Sequence, residues 1–358
     1  MLPPAVRKSA VRRAAVTLTA LACLVAPLAP ARAAEVTRAE TIATGLTSPW
    51  GLAFLPDGSA LVSERDTGLI KRVPARGGRV TTVGRVSGVQ PSGEGGLLGI
   101  AVPPGPDPRA LFAYYTGARD NRVVRIVWDG RRLGRQTPVL TGIPKNTYHD
   151  GGRILIGPND TLLIGTGDAG VPELSADPGS LAGKILRITF DGRPAPGNPD
   201  PSSPVYSLGH RNVQGLAFDA AGRLWATEFG ERTADELNLI RPGLNYGWPR
   251  HEGRESDPAY ADPKVTWSPT STASPSGMAI AGGTAYVASL RGEALWQVPL
   301  SGTRAGQPVA APLGALGRLR TVGVAPDGSL WLVTSNTDGR GSPASGDDRI
   351  LRLAPRTQ

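Results

Sequence analysis

One pattern of strands and turns recurs six times along the chain, and it narrows the possible folds more than any other feature. Each copy has a small or apolar strand, a turn with Pro, Asp, Asn or Gly, a second apolar strand, and a third strand rich in Ile, Leu, Val and Arg. The copies start at Gly51, Leu98, Asn146, Gly215, Gly277 and Val322. Copies of about 45 to 65 residues match the blades of a β-propeller, in which each unit buries its face against its neighbours. The repeat therefore predicts an all-β fold, a six-bladed β-propeller with four-stranded antiparallel blades.

The composition supports many short strands joined by tight turns. The chain of 358 residues has 47 glycines and 34 prolines but only two methionines, a balance typical of turn-rich β-structure. Because a propeller closes radially, residues 34–358 are expected to form one propeller domain, with Val36–Ile42 as the outer strand of the last blade. A β-sandwich or two smaller barrels is the alternative. Insertions near 171–182, 193–208 and 250–275 are expected to build the binding site on one rim.

The first 33 residues have the three parts of an export signal. A basic segment that ends at Arg13 precedes the apolar run Ala14–Leu28, and Ala31-Arg32-Ala33 offers a cleavage site. The apolar run is shorter than the roughly 20 residues that a membrane-spanning helix needs. We therefore expect cleavage of residues 1–33, no membrane span, and a secreted or extracytoplasmic mature protein.

Cys23, the single cysteine, lies inside this segment. Lipidation at Cys23 would require cleavage just before it, but the apolar residues continue to Leu28, so a lipoprotein is the less favoured alternative. Cleavage would remove five basic residues and no acid, which leaves 34 Lys and Arg against 30 Asp and Glu. Such a mild positive charge, without a basic run that contains aromatic residues, predicts no nucleic-acid partner. The mature protein would hold neither a disulfide nor thiol chemistry.

Polar side chains precede the first strand of two successive copies, in Tyr148-His149-Asp150-Gly151-Gly152-Arg153 and Gly209-His210-Arg211-Asn212-Val213-Gln214-Gly215. Equivalent blade positions converge on the central channel of a propeller, so His149, Arg211 and Asn212 are expected to meet there. An imidazole can take a proton near neutral pH, whereas a guanidinium and an amide suit an anionic or carbonyl oxygen. A structural, hydrogen-bonded histidine is the alternative for His149.

Three more arginines lie at blade mouths, the ends of the blades where loops are expected to meet at the central channel. Arg318 and Arg320 belong to the start of copy six, where a period of two sends both guanidinium groups to one side, and Arg291 follows the second strand of copy five. Cations that converge on one channel repel one another unless an anion lies between them. Surface salt bridges are the alternative for each arginine alone, but their recurrence favours a carboxylate-rich cofactor or substrate.

Acidic residues and turn backbone gather after copy four, in the segments 228–236 and 245–249. Carboxylates and exposed carbonyls are the hard oxygen ligands that Ca²⁺ takes. The spacing matches no regular metal motif, so the chemistry alone indicates calcium only weakly. No cluster of Cys and His in the sequence indicates zinc.

Four motifs follow one another along the chain: Tyr148-His149-Asp150-Gly151-Gly152-Arg153, Gly183-Lys184-Ile185-Leu186-Arg187, Gly209-His210-Arg211-Asn212-Val213-Gln214-Gly215, and Asp235-Glu236-Leu237-Asn238-Leu239-Ile240 with Asn245-Tyr246-Gly247-Trp248-Pro249. In this order they resemble the soluble pyrroloquinoline quinone (PQQ) dependent glucose/sorbosone dehydrogenases, and specifically their aldose sugar dehydrogenase branch. The resemblance covers nearly all of the chain after the export signal. It implies a six-bladed propeller that oxidises the C1 hydroxyl of aldose sugars to lactones and passes electrons to an external acceptor.

The same resemblance implies a role for each candidate residue. His149 would be the general base that takes the hydroxyl proton while hydride passes to the quinone. Arg211 and Asn212 would contact the quinone oxygens. Gly151 and Gly152 would leave room for a flat ring system near the backbone. The remaining arginines would pair with the carboxylates of PQQ, namely Arg291, Arg318 and Arg320.

The resemblance also implies calcium at two places. The ion that holds the cofactor would bind the backbone carbonyls of Gly230 and Glu231, and a structural ion would use Glu236 and Tyr246. Backbone coordination tolerates the side chain of Glu231, which stands where relatives commonly have proline. The predicted cofactors are therefore PQQ and Ca²⁺.

Two departures from the family pattern bear on cofactor binding, and one of them is Phe229, which stands where relatives commonly carry a polar residue. Glu94 stands where relatives usually carry a glutamine that reaches the cofactor, and it adds a negative charge near a polyanion. It leaves open a non-catalytic propeller that binds sugars or proteins with a degraded cofactor site. A further alternative is a calcium-dependent lactonase of the same fold, which would need acidic metal ligands at the channel centre. The choice of sugar is expected to depend on the loops 171–182 and 250–275.

Overall fold

The computed structural model describes residues 1–2 and 39–353. The predicted export signal over 1–33, with Cys23, lies outside the described residues except for its first two. The described chain forms six antiparallel sheets, and the first strand of each sheet contacts the first strand of the next until the ring closes. The predicted six-bladed β-propeller is therefore confirmed. No helix within the described ranges is long and apolar enough to cross a membrane.

Strand β1 (Ala39–Ala43) belongs to the last blade, and blades one to three follow it along the chain. Their strands are β2 (Pro49–Phe54), β3 (Ala60–Glu64), β4 (Leu69–Val73) and β5 (Thr81–Arg85); β6 (Leu97–Ala101), β7 (Ala110–Thr116), β8 (Asn121–Trp128) and β9 (Leu133–Ile143); β10 (Arg153–Gly157), β11 (Thr161–Gly165), β12 (Lys184–Thr189) and β13 (Val205–Leu208). The second strand of each blade is buried along its whole length. Continuous burial follows because neighbouring sheets cover both faces.

Blades four to six have the same plan, with a short extra strand in blade five. Their strands are β14 (Val213–Phe218), β15 (Leu224–Glu228), β16 (Asp235–Ile240) and β17 (Val265–Trp267); β18 (Pro275–Ala281), β19 (Thr284–Ser289), β20 (Leu295–Ser301), β21 (Arg304–Ala305) and β22 (Val309–Ala310); β23 (Leu319–Val324), β24 (Leu330–Thr334) and β25 (Ile350–Leu353). Short 3₁₀ turns cover Pro172–Ser175 and Thr270–Thr272. Both turns lie in the long loops that the sequence marks as insertions.

The two ends of the described propeller meet in blade six. Strand β1 pairs antiparallel with β25, so that Ala39 faces Leu353 and Thr41 faces Leu351. The predicted outer strand from the N-terminal segment is thus confirmed, at 39–43. Blade six therefore has four strands only because β1 supplies the fourth.

The hydrophobic core lies between blades. Leu98, Phe112 and Ile154 pack together from blades two and three, and Val62 and Trp331 belong to a cluster that joins blades one and six. Burial of one such side chain contributes about 1.5–3 kcal/mol. Packing on both faces explains why the central strands are buried at every position instead of alternating between buried and exposed residues.

The Pro-Asp-Gly turns of blades one and six explain part of the repeat. Asp57 Oδ1 accepts hydrogen bonds from the backbone N–H of Ser59 at 3.0 Å and from its hydroxyl at 2.6 Å. Asp327 makes the same two bonds with Ser329. Gly58 has a φ of 80°, which favours glycine. Hydrogen bonds between neighbouring residues therefore fix these two turns, which explains why both have the sequence Pro-Asp-Gly-Ser.

Candidate active site

A polar cavity of about 470 Å³ opens where loops from several blades meet. Its wall contains most of the residues predicted for the site, namely Glu94, His149, Arg211, Gly230, Glu231, Arg291 and Arg318. A narrower recess of about 40 Å³ is lined by Arg320 and again by Glu94 and Arg318. The insertion 250–275 contributes Thr270 and Ser274 to the wall. The blade mouths thus converge as the repeat predicts.

His149 is held by Asp168, on the loop after β11. His149 Nδ1 lies 2.6 Å from Asp168 Oδ1, and Asp168 Oδ2 accepts a hydrogen bond from Trp248 Nε1 at 2.9 Å. Because a carboxylate only accepts, Nδ1 carries the hydrogen, and Nε2 therefore has the lone pair in the neutral imidazole. No protein group in the described part of the chain hydrogen-bonds to Nε2, and the side chain is 14% exposed. His149 can therefore accept a proton from a ligand in the cavity.

The backbone at His149 is strained. Its φ of 61° lies in the left-handed region, which is costly for a residue with a side chain.

The two glycines after His149 pack closely against protein atoms. A Cβ at Gly151 would lie 2.5 Å from Thr166 Cα, and one at Gly152 would lie 2.6 Å from Leu98 Cδ1. These glycines therefore allow close packing within the protein. The space that they were expected to leave for a flat ring system is filled on those sides by protein atoms.

Glu94 lies between the His149 loop and Arg340. One of its carboxylate oxygens accepts the backbone N–H of His149 at 3.0 Å, and the other accepts Arg340 Nη1 at 2.9 Å. The negative charge that departs from the family pattern is thus paired with a cation. Arg340 lines both the cavity and the recess, and no sequence pattern had pointed to it.

A single carboxylate, Asp338, organises the arginines of the recess. Asp338 Oδ2 lies 3.0 Å from Arg318 Nε and 3.8 Å from Arg320 Nη2, so these two guanidinium groups face the same side as the period of two predicts. Asp338 Oδ1 accepts the backbone N–H of Arg340 at 2.9 Å. Although burial raises the pKa of Asp338, Arg320 and Arg318 hold it below its usual value. One acid serves both arginines, so the recess keeps an excess of positive charge.

Trp50 lies beside two deeply buried guanidinium groups. Its ring centroid is 4.1 Å from Arg153 Cζ and 5.6 Å from Arg320 Cζ. Burial lowers the pKa of each arginine to about 9, and repulsion by Arg320 adds to the effect on Arg153. Both therefore stay charged at neutral pH. Arg153 Nη2 and Arg320 Nε are buried without a hydrogen-bond partner among the described residues, and an anion would stabilise such donors.

Arg211 and Asn212 are adjacent in sequence but occupy different environments. Arg211 lines the cavity, lies 5.3 Å over the Trp248 ring and donates from Nη1 to the Gly230 carbonyl at 2.6 Å. Asn212 is fully buried, and its Oδ1 accepts the backbone N–H of Gly151 at 3.0 Å. Asn212 therefore supports the loop that carries His149 and does not line the cavity. Its Nδ2 has no partner within residues 39–353.

The turn that carries Gly230 and Glu231 is held by Glu252. Glu252 Oε1 accepts the four consecutive backbone N–H groups of residues 231–234, at 2.6–3.1 Å. Both residues of the predicted calcium site therefore sit on a fixed turn at the cavity wall. The Gly230 carbonyl already accepts Arg211 Nη1, so an ion there would share this oxygen with the guanidinium.

Glu236 and Tyr246 line a different, small pocket, whose wall shares Arg211 and Gly230 with the cavity. Glu236 Oε2 and Glu228 Oε1 share the amide of Asn238, at 2.9 and 2.8 Å. Burial, together with Glu228, raises the pKa of Glu236 well above its usual value. The Tyr246 hydroxyl donates to the Leu239 carbonyl at 2.8 Å, so the backbone carbonyl is what Tyr246 could offer to a metal. In the described ranges no group of three or more His, Cys, Asp and Glu is arranged around a metal position.

Five residues that shape the site were not predicted: Trp50, Asp168, Glu252, Asp338 and Arg340. Only Asp168 had a local signal, because it follows an apolar strand within Gly-Thr-Gly-Asp-Ala-Gly. The others are recognisable only by contacts with residues far away in the sequence.

Residues 46–351 match the family model described as Glucose / Sorbosone dehydrogenase. The PQQ-bound aldose sugar dehydrogenase of Streptomyces coelicolor is 56% identical, with a TM-score of 0.85 over 90% of this chain and 98% of that one. Quinoprotein glucose dehydrogenase B of Acinetobacter calcoaceticus is 32% identical over 69% of this chain and 60% of that enzyme's length. Aldose sugar dehydrogenase YliI of Escherichia coli is 30% identical over 65% of this chain and 66% of that enzyme. The chain therefore belongs to the glucose/sorbosone dehydrogenase family.

Proposed function

We propose that the protein oxidises the C1 hydroxyl of aldose sugars to lactones, with PQQ and Ca²⁺ as cofactors. The observation that carries this proposal is the pairing of His149 Nδ1 with Asp168 Oδ1 at 2.6 Å, in the wall of a cavity that also contains several arginines. A base and an anion site in one cavity are what sugar oxidation with a carboxylated quinone requires. The PQQ-bound relative from Streptomyces coelicolor supports the same cofactor.

The side chains of the cavity and recess fit an anion with several carboxylates. Arg211 Nε and Arg320 Nε are buried without a hydrogen-bond partner among the described residues. Arg318 and Arg320 share one carboxylate, and no described acid pairs with Arg291, which also lines the cavity. Guanidinium groups with unused donors bind carboxylates strongly. We assign Arg291, Arg318 and Arg320 to the carboxylates of PQQ and Arg211 to a quinone oxygen.

His149 is assigned as the general base. With Nδ1 bonded to Asp168, its Nε2 lone pair can take the proton of the sugar hydroxyl as the C1–H bond breaks. Arg211 lies on the same cavity wall and would stabilise negative charge that develops on a nearby oxygen. Bound PQQ would supply the redox chemistry, as the acceptor of the hydride from C1. Asn212, buried below the loop, would act by holding that loop.

Calcium is assigned to the two sites implied by the family resemblance. The carbonyls of Gly230 and Glu231 lie on the turn that Glu252 fixes, and they would supply two of the roughly six to eight oxygen ligands that Ca²⁺ takes. Near Glu236, two buried carboxylates share one amide donor, so a cation would offset their repulsion. The Tyr246 carbonyl would add a second ligand there.

The two alternative functions gain less support. A lactonase of this fold would need a cluster of acidic metal ligands at the channel centre, and residues 39–353 contain no such group. A degraded cofactor site was inferred from the charge of Glu94. That carboxylate is 2.9 Å from Arg340 Nη1, so it does not face the cavity as an unpaired charge.

Reconstitution tests the proposed function. The apoprotein is loaded with Ca²⁺ and PQQ, and reduction of a dye is followed with a panel of aldoses. We expect aldose-dependent turnover, and His149→Gln should lower kcat by about 10²- to 10⁴-fold while still binding PQQ. Absence of both turnover and PQQ binding in the wild type would refute the proposal. Full activity of His149→Gln would refute the assignment of the base.

The proposal also includes export of the protein from the cytoplasm and transfer of the electrons to an external acceptor. The basic, apolar and small-residue parts of residues 1–33 support cleavage before Ala34. Mass spectrometry of the protein from the medium and the cell envelope of the native host would identify its N-terminus. An N-terminus at Met1 in all fractions would contradict export by this signal.

A further inference from the structure

Glu94 and Arg340 form an ion pair across the mouth of the recess, although 246 positions separate them. Glu94 precedes blade two, and Arg340 lies between β24 and β25 of blade six. Their side chains are 24% and 62% exposed, respectively. A pair this exposed contributes only about 0–1 kcal/mol to folding. Its place in the wall of both the cavity and the recess points to a role in binding.

The pair is fixed from both ends. The Glu94 N–H donates to the Thr147 carbonyl at 2.9 Å, and Glu94 Oε2 accepts the His149 N–H at 3.0 Å. On the other side, the Arg340 N–H donates to Asp338 Oδ1 at 2.9 Å. A continuous set of contacts therefore joins the backbone of the base to the carboxylate that holds the recess arginines.

Arg340 retains unused donors toward the cavity. A guanidinium has five N–H groups, and Glu94 is the only described residue that accepts from that of Arg340. Glu94 cannot repel a carboxylate strongly while its charge is compensated at 2.9 Å. Without Arg340, the same carboxylate would be an uncompensated anion beside the recess.

We propose that Arg340 is a further carboxylate-binding residue of this site and that Glu94 positions it, so that the two residues act as one unit. Arg340 donates to a ligand carboxylate from N–H groups that Glu94 does not use, and it neutralises Glu94 at the same time. The identification of that ligand as PQQ rests on the proposed function. The unit also explains why an acid is compatible with a polyanion site at position 94.

Binding measurements on four proteins test the unit: wild type, Arg340→Gln, Glu94→Gln and the double variant. Affinity for PQQ is measured by quenching of tryptophan fluorescence of the apoprotein with Ca²⁺, and affinity for citrate by calorimetry. Loss of a charge-assisted hydrogen bond predicts that Arg340→Gln weakens PQQ binding about 10- to 100-fold. Adding Glu94→Gln should then recover about tenfold, because the uncompensated carboxylate is removed.

Two further variants distinguish the effect of the charge at position 340 from a general effect of losing a surface ion pair. Arg340→Lys keeps the cation and should bind PQQ more tightly than Arg340→Gln. Arg193→Gln breaks an exposed pair with Asp191 outside the site and should bind PQQ like the wild type. Thermal unfolding of each variant shows whether the fold is intact.

The outcomes distinguish this inference from the proposed function. Wild-type affinity in Arg340→Gln, or no gain from Glu94→Gln in that background, overturns the unit. Binding of citrate but not PQQ by the wild type, with the same dependence on Arg340, refutes the cofactor assignment and supports the unit. Binding of neither ligand refutes both.

Discussion

Asp168 Oδ1 lies 2.6 Å from His149 Nδ1, and the N–H groups of Trp248 and Gly170 hold the same carboxylate at 2.9 and 2.8 Å. These donors fix the carboxylate, which in turn fixes the tautomer and orientation of the imidazole. We expect Asp168→Asn to lower kcat about 10- to 100-fold in the reconstituted enzyme, because an amide can donate to Nδ1 and favour the wrong tautomer. Dye reduction at saturating aldose measures the effect. Unchanged kcat would show that Asp168 does not position the base.

Removal of calcium should lower thermal stability through the buried pair Glu228 and Glu236. A cation beside Glu236 would offset the repulsion between these carboxylates, so chelation is expected to lower Tm and added Ca²⁺ to restore it. Calorimetry measures both steps. The Ca²⁺ response should be lost in Glu236→Gln and kept in Glu40→Gln, which alters an exposed carboxylate on β1. A wild-type Tm that ignores chelation would argue against a structural ion.

The stability of the apoprotein should depend on pH through Asp150. Burial raises the pKa of Asp150 to about 6, against the hydrogen bonds from Asn121 and Asn146 that lower it. The folded state therefore holds this proton more tightly than the unfolded state. Its contribution to stability is complete below about pH 4 and is lost as the pH rises through about 6, a change on the order of 2–3 kcal/mol.

Asp150→Asn removes this proton equilibrium and leaves an oxygen for the two asparagine donors. Relative to the wild type, the variant should gain stability between about pH 4 and pH 7.5. Urea unfolding at several pH values measures the difference. A difference in unfolding free energy that is constant over this range would contradict the buried, protonated carboxyl.

Gly151→Ala should be destabilising for two separable reasons. Gly151 has a φ of 64°, and an added Cβ would lie 2.5 Å from Thr166 Cα. Gly222 has a φ of 74° but an open space around its Cβ position. We expect Gly222→Ala to cost about 1 kcal/mol and Gly151→Ala clearly more, about 2–4 kcal/mol. Equal costs in urea unfolding would show that the Thr166 contact gives way.

The fold could be predicted because it is built from local chemistry that repeats. Turns such as Pro56-Asp57-Gly58 are fixed by bonds within a few residues, so the same triplet recurs as Pro326-Asp327-Gly328 in blade six and related turn residues mark other blades. The mouth positions of His149, Arg211 and Arg318 follow from that repeat. Strand period and blade number are therefore readable from one chain.

The partners of those residues could not be predicted. Arg340 meets Glu94 across 246 positions, and Asp338 meets Arg318 from an irregular loop. The burial of each side chain could not be predicted from the sequence either, because Asn212 and Arg211 are adjacent but only Arg211 lines the cavity. The position of a residue within the repeat predicts that it lies near the channel. The conformation of its loop decides whether its side chain lines the cavity.

The pairing of β1 with β25 makes ligand binding a property of the finished ring. Arg318 and Arg340 lie in the blade that this pairing completes, whereas Glu94 and His149 lie in loops before blades two and three. A chain that stops before β25, or that lacks β1, would keep most of its blades but lack the edge that brings these groups together. We therefore expect anion binding in this cavity to require the closed ring, so that a partly synthesised or clipped chain should bind anions more weakly than the complete one.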